Sequence, residues 1–475
     1  MEGKAIELRN LLDKILSDAV RLGATAAEAV IGMGNGFTVD VRLGEVETIE
    51  RHCDRSLTVH VYYGQKSGLA STSDFRQDTI RLITEKACYI AQQSEADPYA
   101  GLADASLMAH TYPDLDLDHP WELTTADAIT LAKEVEASGL NYDQRIINSE
   151  GASVSTGQSS VIYGNTHEFR GFYSSTLHSV ACNLITEYKG NMQRDGDFSI
   201  VRDAKKFNLT SLGISAARKT VQRLNPQHLK TQSIPVIFEA QMARDLIGDF
   251  IGAISGNNLY KRTSFLVDSL QQKIFPEHVT IQELPHLPQG LASAPFDAEG
   301  VRTLDRMMVK DGILCSYVLD SYAARRLNLT TTANAGGIHN LIVSSRNTCT
   351  FDQLIKTMGK GLLLTELLGQ GVNLTTGDYS RGAFGFWVEN GKIQYPVMGI
   401  TVAGNLRDLF SHIIAVADDV DCRGAIRTGS ILIDDIMVAG KAVTRSKSRR
   451  KFFAASPLVR QREHTKNRHK PANFY

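Results

Sequence analysis

The residues best suited to chemistry in this chain cluster between Gly377 and Gly391, where Asp378, Tyr379 and Arg381 precede Phe384, Phe386, Trp387 and Glu389. Glycines, aromatic rings and opposite charges this close together make one of two things. One is a β-hairpin with a satisfied Asp378–Arg381 ion pair. The other is the rim of a groove that takes up an extended peptide as an added strand. Phe384, Phe386 and Val388 alternate, and Asn390-Gly391 is a hairpin turn signal, so the spacing predicts paired strands in both cases. His339 is a second candidate. It follows Gly336-Gly337, and a histidine behind two glycines suits a tight, accessible turn. His339, Asp378, Tyr379 and Arg381 are therefore the peptide-groove candidates, with a hydrogen-bonded structural histidine as the competing reading for His339. Asp114, Asp116 and Asp118 alternate like the start of a calcium loop. No glycine follows at the sixth position, and Thr125 stands where a bidentate glutamate belongs, so they read as a solvated linker. His464 and His469 lie in a basic segment without an acidic partner, which disfavours a cation there.

Other catalytic signatures are missing. There is no Gly-x-x-x-x-Gly-Lys-Ser/Thr phosphate loop and no Gly-x-Gly-x-x-Gly turn, and Gly359-Lys360-Gly361 lacks the spacing of either. The serine-hydrolase elbow Gly-x-Ser-x-Gly is absent. So is His-Glu-x-x-His, in which two histidines one helical turn apart hold zinc beside a glutamate base. Cys53, Cys88, Cys182, Cys315, Cys349 and Cys422 are scattered singly, which argues against a disulfide framework or a zinc ribbon and for inert thiols.

The elements that must position these residues belong to an ordinary globular chain of 475 residues, 43% hydrophobic and 22% charged. No apolar run approaches the ~20 residues that cross a bilayer. The segment after Met1 is charged and amphipathic rather than a signal peptide, so a cytoplasmic protein is expected. From Lys441 on there are eleven Lys/Arg and one acidic residue, a charge of +10, which leaves −11 on residues 1–440. An acidic body with a basic tail excludes a single nucleic-acid-binding role for the whole chain. Leu8, Leu11, Leu12, Ile15, Leu16 and Ala19 predict an amphipathic helix over 5–22. A meander with turns at Gly34-Asn35-Gly36 and Gly64-Gln65 and a helix capped near Ser73 or Asp74 follow. These make a two-layer helix/antiparallel-sheet domain over 1–95. A linker spans 96–121, and a central α+β domain 122–228, its first helix capped by Thr124 and Asp127. A larger strand-rich domain, 229–443, opens with a strand at Ile234–Phe238 and a helix from Glu239 to Ser255. A basic tail, 444–475, completes an α+β chain.

Landmarks along this chain carry a family resemblance. They include Gly44-Glu45-Val46-Glu47, Pro113-Asp114-Leu115-Asp116-Leu117, Pro295-Phe296-Asp297, Ala335 to Asn340, Gly377 to Gly391 and Ala403-Gly404-Asn405-Leu406. In this order, over about residues 5 to 440, the sequence resembles the TldD/PmbA family, on its PmbA (TldE) branch. The resemblance implies a heterodimeric metallopeptidase that cleaves unfolded peptides or matures peptide precursors. In it a TldD-like subunit holds zinc or another divalent metal, and the second subunit holds none. In TldD-like chains the metal sits on a His-Glu-x-x-x-His helix after a strand, with a cysteine near the C-terminus. Aligned on Gly248-Asp249-Phe250, this chain has Glu239 and Arg244 in place of the two histidines and Ala240 in place of the glutamate. Alanine cannot act as a base, and arginine repels a cation rather than ligating it. Cys422 lies near the region of the cysteine, but its flanks differ, so the ligand role is not carried over. The chain is expected to bind no cofactor itself, and its partners to be a TldD-like metal-binding subunit and an unfolded peptide. The alternative is a non-proteolytic binding or regulatory protein of the same fold. The basic tail fits neither branch.

Overall fold

Alternation between Ala26 and Arg42 produces one 17-residue strand, β1 (Ala26–Arg42). Ala27, Ala29, Ile31, Phe37, Val39 and Val41 are all buried. Their numbers share one parity, so a single face of the strand meets helices at both ends, while Asn35 in the middle of that face is exposed. The strands β2 (Glu45–Tyr63), β3 (Lys66–Thr72), β4 (Ile146–Asn165), β5 (Arg170–Tyr188) and β6 (Asn191–Val201) join it in a six-stranded sheet, ordered β3-β2-β1-β4-β5-β6. The structure, a computed structural model, describes residues 2–209 and 211–440. The tail expected from residue 444 lies outside the described residues.

Two helix pairs cover the two ends of this sheet. The first pair is α1 (Glu2–Arg21) and α2 (Gln77–Gln93), which bury Leu12, Ile15 and Ala87 against Ile31, Leu57 and Val59. The second is α3 (Thr125–Leu140) and α4 (Leu212–Gln222), which bury Ala128, Ala132 and Ala216 against Val39, Val154 and Leu184. The side chain of Thr124 caps α3 by accepting from the N–H of Asp127, as the sequence predicts. The second pair crosses closely at Gly213, where a Cβ would stand 2.1 Å from the carbonyl oxygen of Val135.

Three expectations change. First, Gly34-Asn35-Gly36 is not a turn. β1 runs through it, with Asn35 paired to Cys53 on one side and Gln158 on the other. Gly36 provides space instead, since a Cβ there would lie 2.4 Å from the carbonyl oxygen of Thr156. The chain reverses at Leu43 and Gly44, whose φ angles of 52° and 78° suit a two-residue hairpin. Second, the strands assigned to 1–95 and 122–228 form one sheet, because β1 pairs with β4 from Glu28↔Asn165 to Val41↔Ala152. Each helix pair shields only part of such long strands. Third, residues 96–121 are a packed strap rather than a solvated linker. Met108 and Ala109 are buried with Phe169, Phe296 and Val301. Arg325 donates to the carbonyl oxygens of Tyr99, Leu102 and Gly101 at 2.7, 3.0 and 2.8 Å. Asp118 accepts from the Gln158 amide at 2.9 Å.

The C-terminal part begins with β7 (Gln232–Phe238) and α5 (Ala240–Ala253). β7 pairs in parallel with Gly361–Leu368 and antiparallel with Ile431–Ala439. Through Asp378–Glu389 and Lys392–Asn405 these strands close on themselves. A second, five-stranded sheet contains Val279–Leu284 and Asn340–Ser345. Ala243, Leu246, Ile247 and Phe250 recur at helical spacing and bury one face of α5 in the largest core, beside Val236, Leu364 and Ile433. The α+β class and the strand-rich C-terminal part agree with the sequence. Among the described residues no helix is long and apolar enough to cross a membrane.

Candidate functional site

The end of β7 delivers the chain into α5, with Glu239 as the N-cap residue. The N–H of Glu239 donates to the carbonyl oxygen of Leu364 at 3.0 Å. The N–H of Ala240 donates to Ser430 Oγ at 3.0 Å, and the Ser430 hydroxyl donates to Asp419 at 2.7 Å. The start of α5 is thus anchored from both neighbouring strands, while the Glu239 side chain makes no capping bond. That carboxylate is half-buried and faces a cavity of ≈ 350 Å³ lined by Lys219, Ala240, Asp421, Cys422 and Arg423. Two further cavities, of ≈ 520 and ≈ 440 Å³, share Gln241 with it. Together they form a groove between the β6–α4 layer and the C-terminal part.

The groove is rich in ion pairs. Asp197 holds Lys219 Nζ and Arg423 Nη1, each at 3.0 Å. Arg423 also grips Asp421, with Nε 2.9 Å from Oδ1 and Nη2 3.1 Å from Oδ2. Arg223 pairs with Asp195 at 3.0 Å and with Glu366, and stacks over Phe384 at 3.8 Å. Against this background Glu239 stands out. Burial pushes its carboxyl up to about 7; Lys219 opposes the shift, and the Asp195 and Asp419 carboxylates add to it. A carboxyl poised near neutrality in a cleft can exchange a proton or accept a cationic ligand.

The aligned metal-helix positions are brought together here. Arg244 lies one turn into α5, where its guanidinium donates to the carbonyl oxygen of Arg423 at 3.1 Å and stands 3.6 Å from Asp421. Of the three positions only Glu239 offers a donor atom, Ala240 offers none, and Arg244 adds a fixed positive charge. This donor set does not fit a divalent ion. The exposed Cys422 lines the same cavity, which its flanking sequence did not reveal. Among the described residues no group of three or more His, Cys, Asp or Glu side chains is arranged to hold a metal.

The remaining candidates lie elsewhere. Arg381 does not pair with Asp378. The two are three apart in one strand and so point to opposite faces. Arg381 reaches Asp245 of α5 at 3.7 Å and the carbonyl oxygen of Gly369 at 3.1 Å. Asp378 instead accepts from the Thr376 hydroxyl at 2.6 Å. Tyr379 is buried, and among the described residues its hydroxyl has no hydrogen-bond partner. On the same side, burial raises Asp249 to about 6, against the pull of Arg381. His339 is buried just before the strand Asn340–Ser345 rather than displayed on an accessible turn. Its backbone N–H donates to Glu283 Oε1 at 2.8 Å, and its Nδ1 is 3.1 Å from the same oxygen. A buried carboxylate needs donors, and His339 with Asn334 supplies them. Sequence reasoning missed Lys219, Arg223, Asp195, Asp197, Asp419, Asp421 and Arg423, which converge from distant segments.

Comparison with known proteins shows the family to which the chain belongs. Three family models match in succession: PmbA/TldA metallopeptidase domain 1 over 27–91, the central domain over 118–224 and the C-terminal domain over 231–440. The chain is 43% identical to metalloprotease PmbA of Escherichia coli O157:H7 over 437 residues, 91% of this chain and 97% of that protein. A solved chain from Bacteroides thetaiotaomicron superposes with a TM-score of 0.87 at 24% identity, covering 92% of this chain and 99% of that one. TldE of Thermococcus kodakarensis superposes at 0.80 with 18% identity, covering 90% of this chain and 100% of the other. These last two likenesses concern the fold. The shared domains and the identity along nearly the whole chain place the protein in the TldD/PmbA metallopeptidase family, on its PmbA branch.

Proposed function

We propose that this chain is the metal-free subunit of a heterodimeric metallopeptidase, which pairs with a TldD-like metal-binding subunit and helps to hold an unfolded peptide or a peptide precursor for cleavage. The observation that carries this reading is Arg244. At the position of a metal-ligating histidine it presents a guanidinium bound to Asp421 and the Arg423 carbonyl, so the helix start is built around a protein cation. Ala240, at the position of the general base, leaves no group there to activate water. Zinc or another divalent ion belongs to the partner in this reading, and that ion supplies the polarised water of hydrolysis. What this chain contributes is a groove whose walls are fixed by ion pairs and whose carboxyl Glu239 has no ion-pair partner among the described residues. Six free, scattered thiols suit a reducing compartment, and the cytoplasm is the expected location. The test is co-expression with a TldD-like chain from the same genome, followed by cleavage of an unfolded peptide with and without chelator. Chelator-sensitive cleavage by the pair and none by this chain alone is expected. Cleavage by this chain alone, with a full equivalent of tightly held zinc, would overturn the proposal.

A further inference from the structure

The strap crosses the outer edge of β5 and meets it at two places. The N–H of Thr176 donates to the carbonyl oxygen of Leu117 at 2.9 Å. Nearer the start of the strand, the Tyr112 hydroxyl stands 3.4 Å from the nitrogen and 3.5 Å from the oxygen of Phe172. In an antiparallel ladder alternate residues turn their N–H and C=O to the same side. β5 keeps one register against β4 from Arg170 to Asn183, so Ser174, midway between the two contacts, also turns its N–H and C=O outward. β6 covers this edge only from His178 onward, and neither backbone group of Ser174 meets a partner among the described residues. Between its two contacts the strap bows away from the strand. There the Leu115 carbonyl accepts from the N–H of Gln289 at 2.8 Å, and Asp116 takes a left-handed φ of 54°. The bow leaves a cavity of ≈ 620 Å³ with Phe172, Tyr173 and Ser174 on one side and the strap from Tyr112 to Asp118 on the other. A strand edge that faces a cavity can take on an extended chain through main-chain hydrogen bonds. At ~3.4 Å per residue, the span from Phe172 to Thr176 gives room for about three residues of such a chain.

The charges say which part of a peptide fits. The cavity is lined by Asp114, Asp116 and Asp118 and by no cation. Asp118 accepts from the Gln158 amide and Asp116 from the Gln289 amide. Asp116 also lies 3.1 Å from His119 Nε2, an ion pair only when that histidine is protonated. Asp114 is exposed, accepts from the N–H of Asp116 at 3.0 Å, and has no ion pair among the described residues. Arg9 and Arg170 lie on the other side of Tyr112, in a neighbouring cavity, and Arg170 is bound to Asp13 at 2.6 Å. A chain added at Ser174 therefore meets carboxylates on the facing strap. An amino-terminal ammonium group complements them, and a carboxyl terminus is repelled. Phe172, Tyr173 and Pro295 supply apolar surface for its first side chains.

We infer that the cleft between β5 and the strap binds the amino-terminal residues of an extended peptide, by strand addition at Ser174 with Asp114 as counter-ion of the free ammonium group. The cleft shares no residue with the groove at the start of α5, and the inference does not depend on where the metal of the complex resides. A polyamine shares the charge but lacks the backbone groups that the edge of β5 would pair with.

The experiment measures binding of six-residue alanine/valine peptides, labelled with a fluorophore at the carboxyl end, to the full chain by anisotropy. One peptide has a free amino terminus, one is N-acetylated, and one has a free terminus but N-methylated backbone at its second and third residues. The free peptide is expected to bind about tenfold more tightly than either of the others, the scale of one charge-assisted hydrogen bond. Asp114→Asn keeps an oxygen for the N–H of Asp116. It should bring the free peptide down to the affinity of the acetylated one, which itself should not change. On the unaltered protein, the free peptide should slow hydrogen exchange at the Ser174 amide, and spermidine at equal concentration should not, which keeps the test independent of how the variant folds. Equal affinity of the free and acetylated peptides would overturn the inference. So would unchanged exchange at Ser174 under saturating free peptide, or binding that Asp114→Asn leaves intact.

Discussion

Replacing Glu239 by glutamine should make the protein more stable, and only above neutral pH. The ordinary carboxyl value is 4.5, and burial raises Glu239 to about 7 in the folded chain. Below pH 4.5 the group is protonated both folded and unfolded, and contributes nothing. Between 4.5 and 7 the unfolded chain ionises first, so the folded state loses ground as pH rises, and above 7 the loss is complete. At ~1.4 kcal/mol per pKa unit the full penalty is about 3 kcal/mol. Glu239 keeps some contact with solvent, and screening brings the expected figure down to about 2 kcal/mol. Glutamine has nearly the same shape, cannot ionise and gives up no hydrogen bond. Thermal melts at pH 4.5 and pH 8.5 should therefore show no difference at the lower pH. At the higher pH the C-terminal transition should rise by about 4–8 °C in the variant. A variant no more stable at pH 8.5, or equally stabilised at both pH values, would refute the picture of an unpaired, desolvated carboxylate. A stabilising substitution at such a position is the behaviour of a residue kept for binding rather than for folding.

Other outcomes follow from the same geometry. Elemental analysis of the purified chain should find no stoichiometric zinc, because Ala240 and Arg244 stand where donors would be needed; one tightly held equivalent would contradict this. Arg325→Ala should free the strap at Tyr99–Leu102, at a cost on the order of 3 kcal/mol for three charge-assisted bonds. Limited proteolysis should then cut within 97–109, and protection equal to that of the parent chain would count against the strap. Gly213→Ala should lose about 1–3 kcal/mol through overpacking at the α3–α4 crossing, read as a lower melting temperature. Deleting residues 446–475 should leave melting and partner pull-down unchanged and abolish any salt-sensitive binding to polyanions; a melting point more than about 5 °C lower would show that the tail packs on the body.

Patterns within one element were legible in the sequence. The apolar spacing of α1 and α5, the Thr124 cap and the Asn390-Gly391 turn depend on near neighbours, and periodicity reports them directly. Where the sequence reading failed, the deciding partner was remote. Gly34-Asn35-Gly36 has the composition of a turn, but two flanking strands hold it extended. Asp378 and Arg381 look like a pair along the chain, yet the pleat of one strand sends them to opposite faces, and Arg381 meets Asp245 on α5. His339 follows a flexible Gly-Gly, but the buried carboxylate of Glu283 draws it inward.

The sequence by itself determined most element types and the family landmarks, because each is a property of residue identity at a fixed spacing. Tertiary structure alone decided that Glu239 is unpaired among the described residues. That fact depends on how Lys219, Arg223, Arg423 and their carboxylates, drawn from β6, α4 and the segment Asp419–Arg423, satisfy one another and leave one negative charge over. Charge balance in a groove is settled by distances of a few ångströms between segments some two hundred residues apart. No local pattern encodes those distances.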